Sequence, residues 1–434
     1  MKGFLAAFKT PDLRKKLLFT IGIIVIFRLG SFIPTPGVNY TAVKECTAST
    51  ASDGLLGMIN LFSGGALLQL SVFALGIMPY ITSSIIIQLL RVVIPHFEAL
   101  HQEGQAGQTK MTQYTRYVTV GLAILQSTTI ITTARSGALF GNQGGACDKV
   151  IPNQNIITLV IMIIAMTAGT SLIMWLGELV TENGVGNGMS ILIFSSICAN
   201  FLPNLWGIAN GNNGIPKFLL VVVCVIAIIT VVTFVEQSQR RITVQYARRQ
   251  VGSQVMSGQN TYLPIKINMS GVIPVIFASS LLAVPGLFAQ FGDPSSSWVQ
   301  WISSHLSRQD APFHMVLYAL LIVFFCFFYT SITFNTQEVA DNMKNYGGFI
   351  PGIRAGEPTS NYLKYILNRL NTVGSIYLAL VALIPTFLFL IAGLSQSLPF
   401  GGTTILIIVG VGLDTVKQIN SQLQQHHYDG FLGV

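Results

Sequence analysis

Long runs of apolar residues alternate along the chain with short polar segments. A hydrocarbon core about 30 Å thick is spanned by ~20 mostly apolar residues in a helix. Runs of this kind cover residues 17–37, 68–93, 114–134, 155–177, 188–207, 215–235, 269–290, 313–334, 372–393 and 402–418. The pattern therefore predicts an all-α membrane protein with ten transmembrane helices.

The composition narrows the class of protein further. Of the 434 residues, 51% are hydrophobic and only 9% are charged, whereas charged residues make up roughly 25% of a soluble globular protein. A soluble fold of this length has no interior large enough for that much apolar surface. The composition therefore excludes the soluble classes and favours a polytopic helical membrane protein.

Lysine and arginine are distributed unevenly between the predicted loops. If the N-terminus lies inside, 18 of the 24 basic residues fall in inner segments, as the positive-inside rule requires of cytoplasmic loops. Both termini are therefore predicted to face the cytoplasm. Arg28 lies within the first span, where we expect it to snorkel or to pair with an acid such as Glu178 or Glu182.

The predicted spans divide into two sets of five, which favours halves of opposite topology, as in transport proteins built from inverted repeats. The first half covers 1–235, and the sixth span opens the second half near 215. A basic loop at 236–268 precedes 269–434, which holds a second large loop at 335–371. Topology and anionic lipid explain the charge of both loops, but the turn-rich string GGFIPGIRAGEPT in the second favours a shaped docking surface.

The stretch before and within the second span is unusual for a membrane helix. Small, weakly polar residues precede the span, and Pro79 and a Thr-Ser-Ser cluster at 82–84 interrupt it. Irregular backbone at membrane depth is tolerated only where it is buried in protein or lines a water-filled path. This stretch therefore indicates a pathway through the membrane rather than a simple anchor.

Eight segments, in order along the chain, carry a resemblance to a known family. They are RLGSFIPTPGV (28–38), NLFSGGALLQLSVFALGIMPYITSSIIIQLL (60–90), EGQAGQTKMTQYTRYVTV (103–120), WLGELVTENGVGNGMSILIF (175–194), RRITVQYARR (240–249), LPIKINMSGVIPVIFASSLL (263–282), FNTQEVADNMKNYGGFIPGIR (334–354) and FGGTTILIIVGVGLDTVKQI (400–419). Together they are similar to the SecY family of bacterial protein-conducting channels. The resemblance implies ten helices in two pseudo-symmetric inverted halves around an hourglass pore that opens across the membrane and sideways into lipid.

The resemblance further implies a plug that closes the outer funnel of the pore. Its residues are Leu55, Leu56, Gly57, Met58, Ile59, Asn60, Leu61, Phe62, Ser63, Gly64 and Gly65. Glycines and the absence of charge suit a short helix that packs when the channel is closed and moves aside when a polypeptide enters. An ordinary outer loop with hydrophobic anchoring is the alternative.

A pore ring is the third implication of the resemblance. It comprises Ile77, Ile81, Met189, Ile193, Ile276 and Ile407. An apolar ring blocks ions by dewetting and can deform around a translocating chain, and residues four apart share one helix face. Isoleucine is usual at position 189, so Met189 is expected to loosen the shape of the ring. Without the resemblance, such spacing indicates core or lipid-facing residues.

Polar residues in the second, third and seventh spans are candidates for a lateral gate. They are Thr82, Ser83, Gln88, Gln126, Ser279 and Ser280. Interhelical hydrogen bonds from such residues are worth roughly 0.6–2 kcal/mol, enough to hold helices together without locking them. Bonding to the backbone of the same helix is the alternative for each of them.

The basic loops carry the predicted partners. By resemblance, Arg354 engages the SecA motor ATPase, and Arg240, Arg241, Arg248 and Arg249 add cations that motor and ribosome can meet. The family pairs this subunit with SecE and usually SecG, and its substrates are signal peptides and nascent polypeptides in the bacterial plasma membrane. Proline is common where this chain has Thr243, Thr336 and Ala355, so each turn there is expected to be less rigid.

No enzyme or cofactor is predicted. The string GVGNG (184–188) follows no strand and is not a dinucleotide fingerprint. His426 and His427 are read as part of a solvated tail. Of the five cysteines, Cys46 and Cys147 fall in outer loops and can pair, while Cys198, Cys224 and Cys326 lie in apolar spans as buried thiols.

Two other functions remain open at this point. A ribosome receptor that does not conduct would explain the basic loops, although it would need neither plug nor ring. A secondary transporter for small solutes would explain inverted halves and a broken helix, but it would need ionisable groups within the membrane, and the spans offer almost none beyond Arg28. A membrane enzyme is the least supported reading.

Overall fold

The structure is a computed structural model of the chain. It describes residues 10–49, 63–135, 150–152, 155–209, 214–246, 250–251, 254–255, 260–289, 296–306, 308, 311–392 and 402–432. Most of the proposed plug, residues 55–62, lies outside this range, as do Cys147, Arg248 and Arg249. Structural statements below concern the described residues.

Helices make up most of the described chain. They are α1 (Pro11–Gly30), α2 (Tyr40–Ser49), α3 (Met78–Val93), α4 (Pro95–Gln102), α5 (Gln105–Arg135), α6 (Ile156–Asn183), α7 (Gly188–Ala209), α8 (Gly214–Gln237), α9 (Ile273–Ala289), α10 (Ser297–His305), α11 (Pro312–Thr333), α12 (Thr336–Asn345), α13 (Glu357–Ala392) and α14 (Gly402–Leu432). Each predicted span overlaps one of these helices, which confirms the all-α membrane class.

The number of membrane crossings is less directly defined. Six helical stretches in α5, α6, α8, α11, α13 and α14 are long and apolar enough to cross a membrane. The apolar stretches in α3, α7 and α9 are shorter, at 10–17 residues. The count of ten crossings and the pseudo-symmetry of the halves therefore stay predictions.

The predicted second span is wrong over its first ten residues. The chain runs as consecutive turns from 63 to 77, and helix α3 begins only at Met78. Four residues hold left-handed backbone there: Gly64, Gly65, Leu70 and Gly76, with φ between 47° and 90°. An α-helix cannot contain such residues, so the bilayer depth is crossed partly by irregular, buried backbone.

The helices pack in two groups that meet at two seams. In the first group α3 packs on α5, α5 on α6, and α6 on α7; in the second, α9 packs on α11, α11 on α13, and α13 on α14. The groups touch where α3 meets α9 and where α7 meets α8 and α14. A channel that opens sideways needs a seam of this kind between groups.

The two large basic loops fold together, which the sequence did not indicate. Strands β1 (Gln239–Tyr246), β4 (Asn260–Lys266) and β5 (Gly348–Phe349) form one antiparallel sheet in the order β4-β1-β5, while β2 (Gln250–Val251) and β3 (Gln254–Val255) form a separate hairpin. Along β1, Ile242 and Val244 are buried and their neighbours more exposed, the period-two pattern of a strand with one buried face. Ile242 packs with Leu363 and Ile366 of α13, which fixes the sheet to the helices.

Candidate functional site

The six residues assigned to the pore ring all belong to, or pack against, the largest apolar cluster of the described residues. Five of them are buried in one apolar cluster, and Ile276 packs against that cluster while remaining half-buried. The exposed fraction of the side chain is 2% for Ile77 and 0% for Ile407. Residues of α3, α7, α9 and α14, and so of both groups of helices, contribute to this apolar cluster.

Local geometry sets the positions of the ring residues on two of these helices. Ile77 is the N-cap of α3, and the amide of Ile81 donates to the Ile77 carbonyl at 3.1 Å, so the two residues share one face as predicted. Met189 lies in the first turn of α7, where its sulfur would be 2.5 Å from a Cβ at Gly177 of α6. Only glycine at 177 leaves room for this rotamer of Met189.

The turn segment 63–77 lies against α1 and the loop that follows it. The amide of Val72 donates to the Ile33 carbonyl at 2.9 Å, and both the amide and the hydroxyl of Thr35 donate to the Leu70 carbonyl, at 3.0 and 2.6 Å. Phe73 stacks on Phe27 with 6.0 Å between ring centroids. The Val72 amide and the Leu70 carbonyl of the turn segment are therefore hydrogen-bonded within the protein, as irregular backbone at membrane depth requires.

Arg28 has a different partner from the two considered from the sequence. Its Nη1 donates to the Gly64 carbonyl at 3.0 Å, and its guanidinium carbon lies 5.6 Å from the centre of the Phe32 ring. Glu178 instead accepts two hydrogen bonds from Arg116, at 2.8 and 2.7 Å. No described ion pair joins Arg28 to Glu182. Arg28 lies in the last turn of α1, and the Gly64 carbonyl is the hydrogen-bond partner that the structure gives to its guanidinium.

Among the lateral-gate candidates, Ser83 makes a hydrogen bond between helices. Its hydroxyl donates to the Thr115 carbonyl of α5 at 2.7 Å, and Ser83 is fully buried. The hydroxyls of Thr82 and Ser279 donate to carbonyls of their own helices, which is the alternative considered from the sequence. Ser83 therefore ties α3 to α5 rather than bridging the seam between α3 and α9.

The remaining gate candidates provide no described bridge across that seam. Gln88 reaches Ser84 of its own helix at 3.4 Å, and Gln126 is half-buried on α5. The Ser280 hydroxyl is buried, and no hydrogen-bond partner for it lies within the described part of the chain. What the described residues place at the α3–α9 contact is thus mainly apolar.

On the three-stranded sheet, Arg240 and Arg241 are exposed on β1, and Arg354 is exposed in the turn between β5 and α13. That turn has the defined shape predicted for it: Gly352 and Gly356 adopt φ values of 85° and 103°. The Thr359 hydroxyl donates to the Arg354 carbonyl at 2.9 Å. Arg354 is therefore presented from a fixed backbone.

The expectation that three missing prolines loosen turns is mostly wrong. Thr243 lies within strand β1, opposite Tyr262, and not in a turn. Thr336 begins α12, where its hydroxyl accepts a hydrogen bond from Ser360 of α13 at 3.2 Å. Proline is tolerated at a first helical position but could not make this bond. Ala355 alone lies in a turn.

Sequence reasoning missed a buried polar network beneath the sheet. Asn268 donates to Glu236 at 2.6 Å and accepts from Ser270 at 3.0 Å. Ser270 lies 3.1 Å from the sulfur of Cys326, which donates to Asn371 at 3.1 Å. The network joins α8, the β4–α9 linker, α11 and α13. The polar residues in the string INMSG (267–271), just before an apolar run, are the feature of the sequence that could have indicated this network.

Cysteine and metal chemistry add little within the described residues. Cys198, Cys224 and Cys326 are free thiols. The prediction that they are buried holds for Cys326 alone, because Cys198 and Cys224 are half-buried. Cys326 is part of the polar network rather than a purely apolar contact. The described residues contain no group of three or more His, Cys, Asp or Glu that could hold a metal ion. The side chains of Cys46, His426 and His427 lie outside those described.

The fold defines a multi-pass helical membrane protein, and comparisons with known proteins identify its family. The SecY family model matches residues 71–416. The protein translocase subunit SecY of Streptomyces coelicolor is 58% identical over 436 residues, and that of Micrococcus luteus is 51% identical over 440 residues. Each comparison covers 100% of both chains. The chain belongs to the SecY family.

Solved structures support the same fold at lower identity. A structure described as a protein conducting channel matches with a TM-score of 0.62 and 18% identity, covering 94% of this chain and 92% of that one. Sec61 in a canine ribosome-channel complex matches with a TM-score of 0.60, also at 18% identity and the same coverage. At this level of identity the matches establish the architecture alone.

Proposed function

We propose that this chain is the channel-forming subunit of a protein translocase, conducting unfolded preproteins across the membrane and releasing transmembrane segments sideways into lipid. The observation that supports the proposal is that five of the six proposed ring residues are buried in one apolar cluster, to which both groups of helices contribute, and that Ile276 packs against it. An apolar constriction excludes ions yet separates without breaking directed bonds. A seam between α3 and α9 supplies the lateral exit.

Photo-crosslinking from Ile81 to a preprotein stalled midway through transport tests the channel directly. A crosslink that depends on the stalled chain is expected from Ile81, and also from Ile276 and Ile407. A probe at Leu281, exposed on the outer face of α9, is the matched control and should not crosslink to a polypeptide held in the ring. Silence at all three ring positions would favour a receptor or a small-solute carrier instead.

A plug formed by residues 55–65 belongs to this proposal. Its support is the sequence resemblance and the described end of the segment, where Ser63 and Gly64 are buried against the helices. Deleting 55–65 is expected to raise the resting ion leak, because the outer side of the ring loses its cover. Unchanged conductance would remove the plug from the mechanism.

The partners proposed for the chain are those of its family. SecA and the ribosome would meet the cytoplasmic sheet, where Arg240, Arg241 and Arg354 are exposed; Arg248 and Arg249 rest on the sequence alone. SecE and SecG would accompany the subunit in the bacterial plasma membrane, with both termini cytoplasmic. Arg354→Glu should abolish SecA-driven transport while the protein still inserts, and full transport by this variant would count against the motor contact. Arg369→Glu, exposed on α13, is the control.

A further inference from the structure

The segment 63–77 is attached to its surroundings in two different ways. Around Leu70 and Val72 it is held by backbone hydrogen bonds to the loop after α1, including an isolated bridge between Pro34 and Ser71. At its start, the Arg28 side chain donates a hydrogen bond to the Gly64 carbonyl at 3.0 Å. The part near Leu70 is therefore held to the loop after α1 by main chain, whereas a side chain links the start to α1.

The backbone of Gly64 lies close to two helices, α1 and α7. Gly64 has a φ of 70°, and a Cβ added to it would lie 2.5 Å from the Arg28 Nη1 and 3.3 Å from the Cα of Ser196 on α7. Gly65 is next to Asn200, whose Oδ1 would lie 3.4 Å from a Cβ at that position. Glycine at 64 thus fits a slot that only a residue without a side chain can enter.

This slot lies close to the ring along α7. Ser196 follows the ring residue Ile193 by three positions, which is about 4.5 Å along a helix. A shift of the backbone at Gly64 would therefore change packing within a turn of the ring. Arg28 also has Phe32 one turn ahead of it, whose ring centre is 5.6 Å from the guanidinium carbon, and this contact orients the arginine toward Gly64.

We propose that Arg28 is a positioning residue that keeps the start of segment 63–77 in the closed position, by a hydrogen bond that we call the Arg28–Gly64 latch. The inference rests on the proposed channel and plug. An ionisable group within a membrane span requires a partner, and here the partner is the main chain of a segment whose far end is fixed independently. Release of the latch frees the start of the segment while its backbone bonds near Leu70 remain.

Resting ion leak through the assembled complex in proteoliposomes is the first measurement. Arg28→Met removes the charged donor and is expected to raise the leak about tenfold, the change that loss of one charged hydrogen bond produces. Arg28→Lys keeps a cationic donor and should restore most of the closure. Arg14→Met changes an exposed arginine of the same helix and should leave the leak at the wild-type level.

A double-mutant cycle separates the latch from the proposed function. Deleting 55–65 removes Gly64, so Arg28→Met should add nothing to the leak of the deletion variant; an additive increase would show that Arg28 acts elsewhere and would overturn the latch. If the deletion variant leaks and Arg28→Met shows only the wild-type leak, the latch is also overturned, while the proposal of a plug stands. A deletion that does not leak would refute the plug itself.

A second variant keeps the test valid if Arg28→Met does not accumulate in the membrane. Gly64→Ala places a methyl group against the Arg28 Nη1 in a left-handed backbone position, so it should also raise the leak. Gly22→Ala, on α1, meets nothing within 4 Å and should not. Equal leak in these two alanine variants would contradict the latch.

Discussion

The apolar ring and the polar network beneath the sheet are both buried, yet they are built from opposite kinds of contact. The proposed ring consists of apolar side chains from four helices, whose attraction has no preferred direction. The network joins four elements through hydrogen bonds of 2.6–3.1 Å. Apolar surfaces can separate and meet again in many shapes, whereas a hydrogen-bonded network holds one geometry. The ring is thus suited to moving and the network to staying fixed.

The largest expected loss of stability comes from a substitution that breaks the polar network. Asn268→Leu leaves Glu236 buried without the Asn268 amide, while Ser270 keeps its contact with Cys326. We therefore expect the free energy of unfolding to fall by about 3 kcal/mol. Resting ion leak should change little, because the ring is untouched. Denaturant unfolding in detergent, followed by tryptophan fluorescence, measures the first quantity. Asn361→Leu, at an exposed position of α13, is the control and should unfold like the wild type.

A smaller loss of stability with a larger change in conductance is expected in the ring. Ile276→Ala removes a half-buried side chain and should lower the free energy of unfolding by about 1–2 kcal/mol, less than a fully buried isoleucine would lose. The leak should rise, because the gap opens at the constriction. Leu281→Ala, on the outward face of the same helix, should not leak. An Ile276→Ala variant that folds stably and shows no rise in ion leak would contradict the assignment of Ile276 to the ring.

The smallest expected loss of stability comes from two neighbouring hydroxyl groups of α3, one bonded to another helix and one to its own. Ser83→Ala removes the hydrogen bond to the Thr115 carbonyl, which is worth about 0.6 kcal/mol for an average interhelical bond in a membrane. Thr82→Val removes a bond within the same helix and should cost less. Unfolding of both variants in detergent provides the measurement. Equal stability of the two would mean that Ser83 does not hold α3 to α5.

The apolar runs of the sequence are sufficient to predict most of the helices of this fold. Each of the ten apolar runs overlaps a helix. A helix is expected there because it satisfies the hydrogen bonds of the main chain where no water is available. The ring is different: aliphatic residues at helical spacing occur in every core, so Ile407 and Ile193 could be assigned through family resemblance only. Both residues are buried in the large apolar cluster, and their assignment to a ring stays a prediction.

Other features depend on contacts between distant residues, which local patterns do not encode. The second span reads as one helix from 68, but Gly76 and Pro79 shift its start to Met78. The partner of Arg28 is a main-chain carbonyl, which no letter of the sequence marks. Likewise, Glu236 and Asn371 lie far apart in the chain, and only the packing of α8, α11 and α13 unites them in one network.

Pairing of β1 with β5 sets an order of events during synthesis. Strand β4 follows β1 closely, so that hairpin can form as soon as Lys266 has emerged, whereas β5 comes about 100 residues after β1. At ~5–20 residues per second of translation, the exposed edge of β1 waits on the order of 5–20 s for its second neighbour. The surface that carries Arg354 is therefore completed late, and a chain arrested before Phe349 presents only half of it.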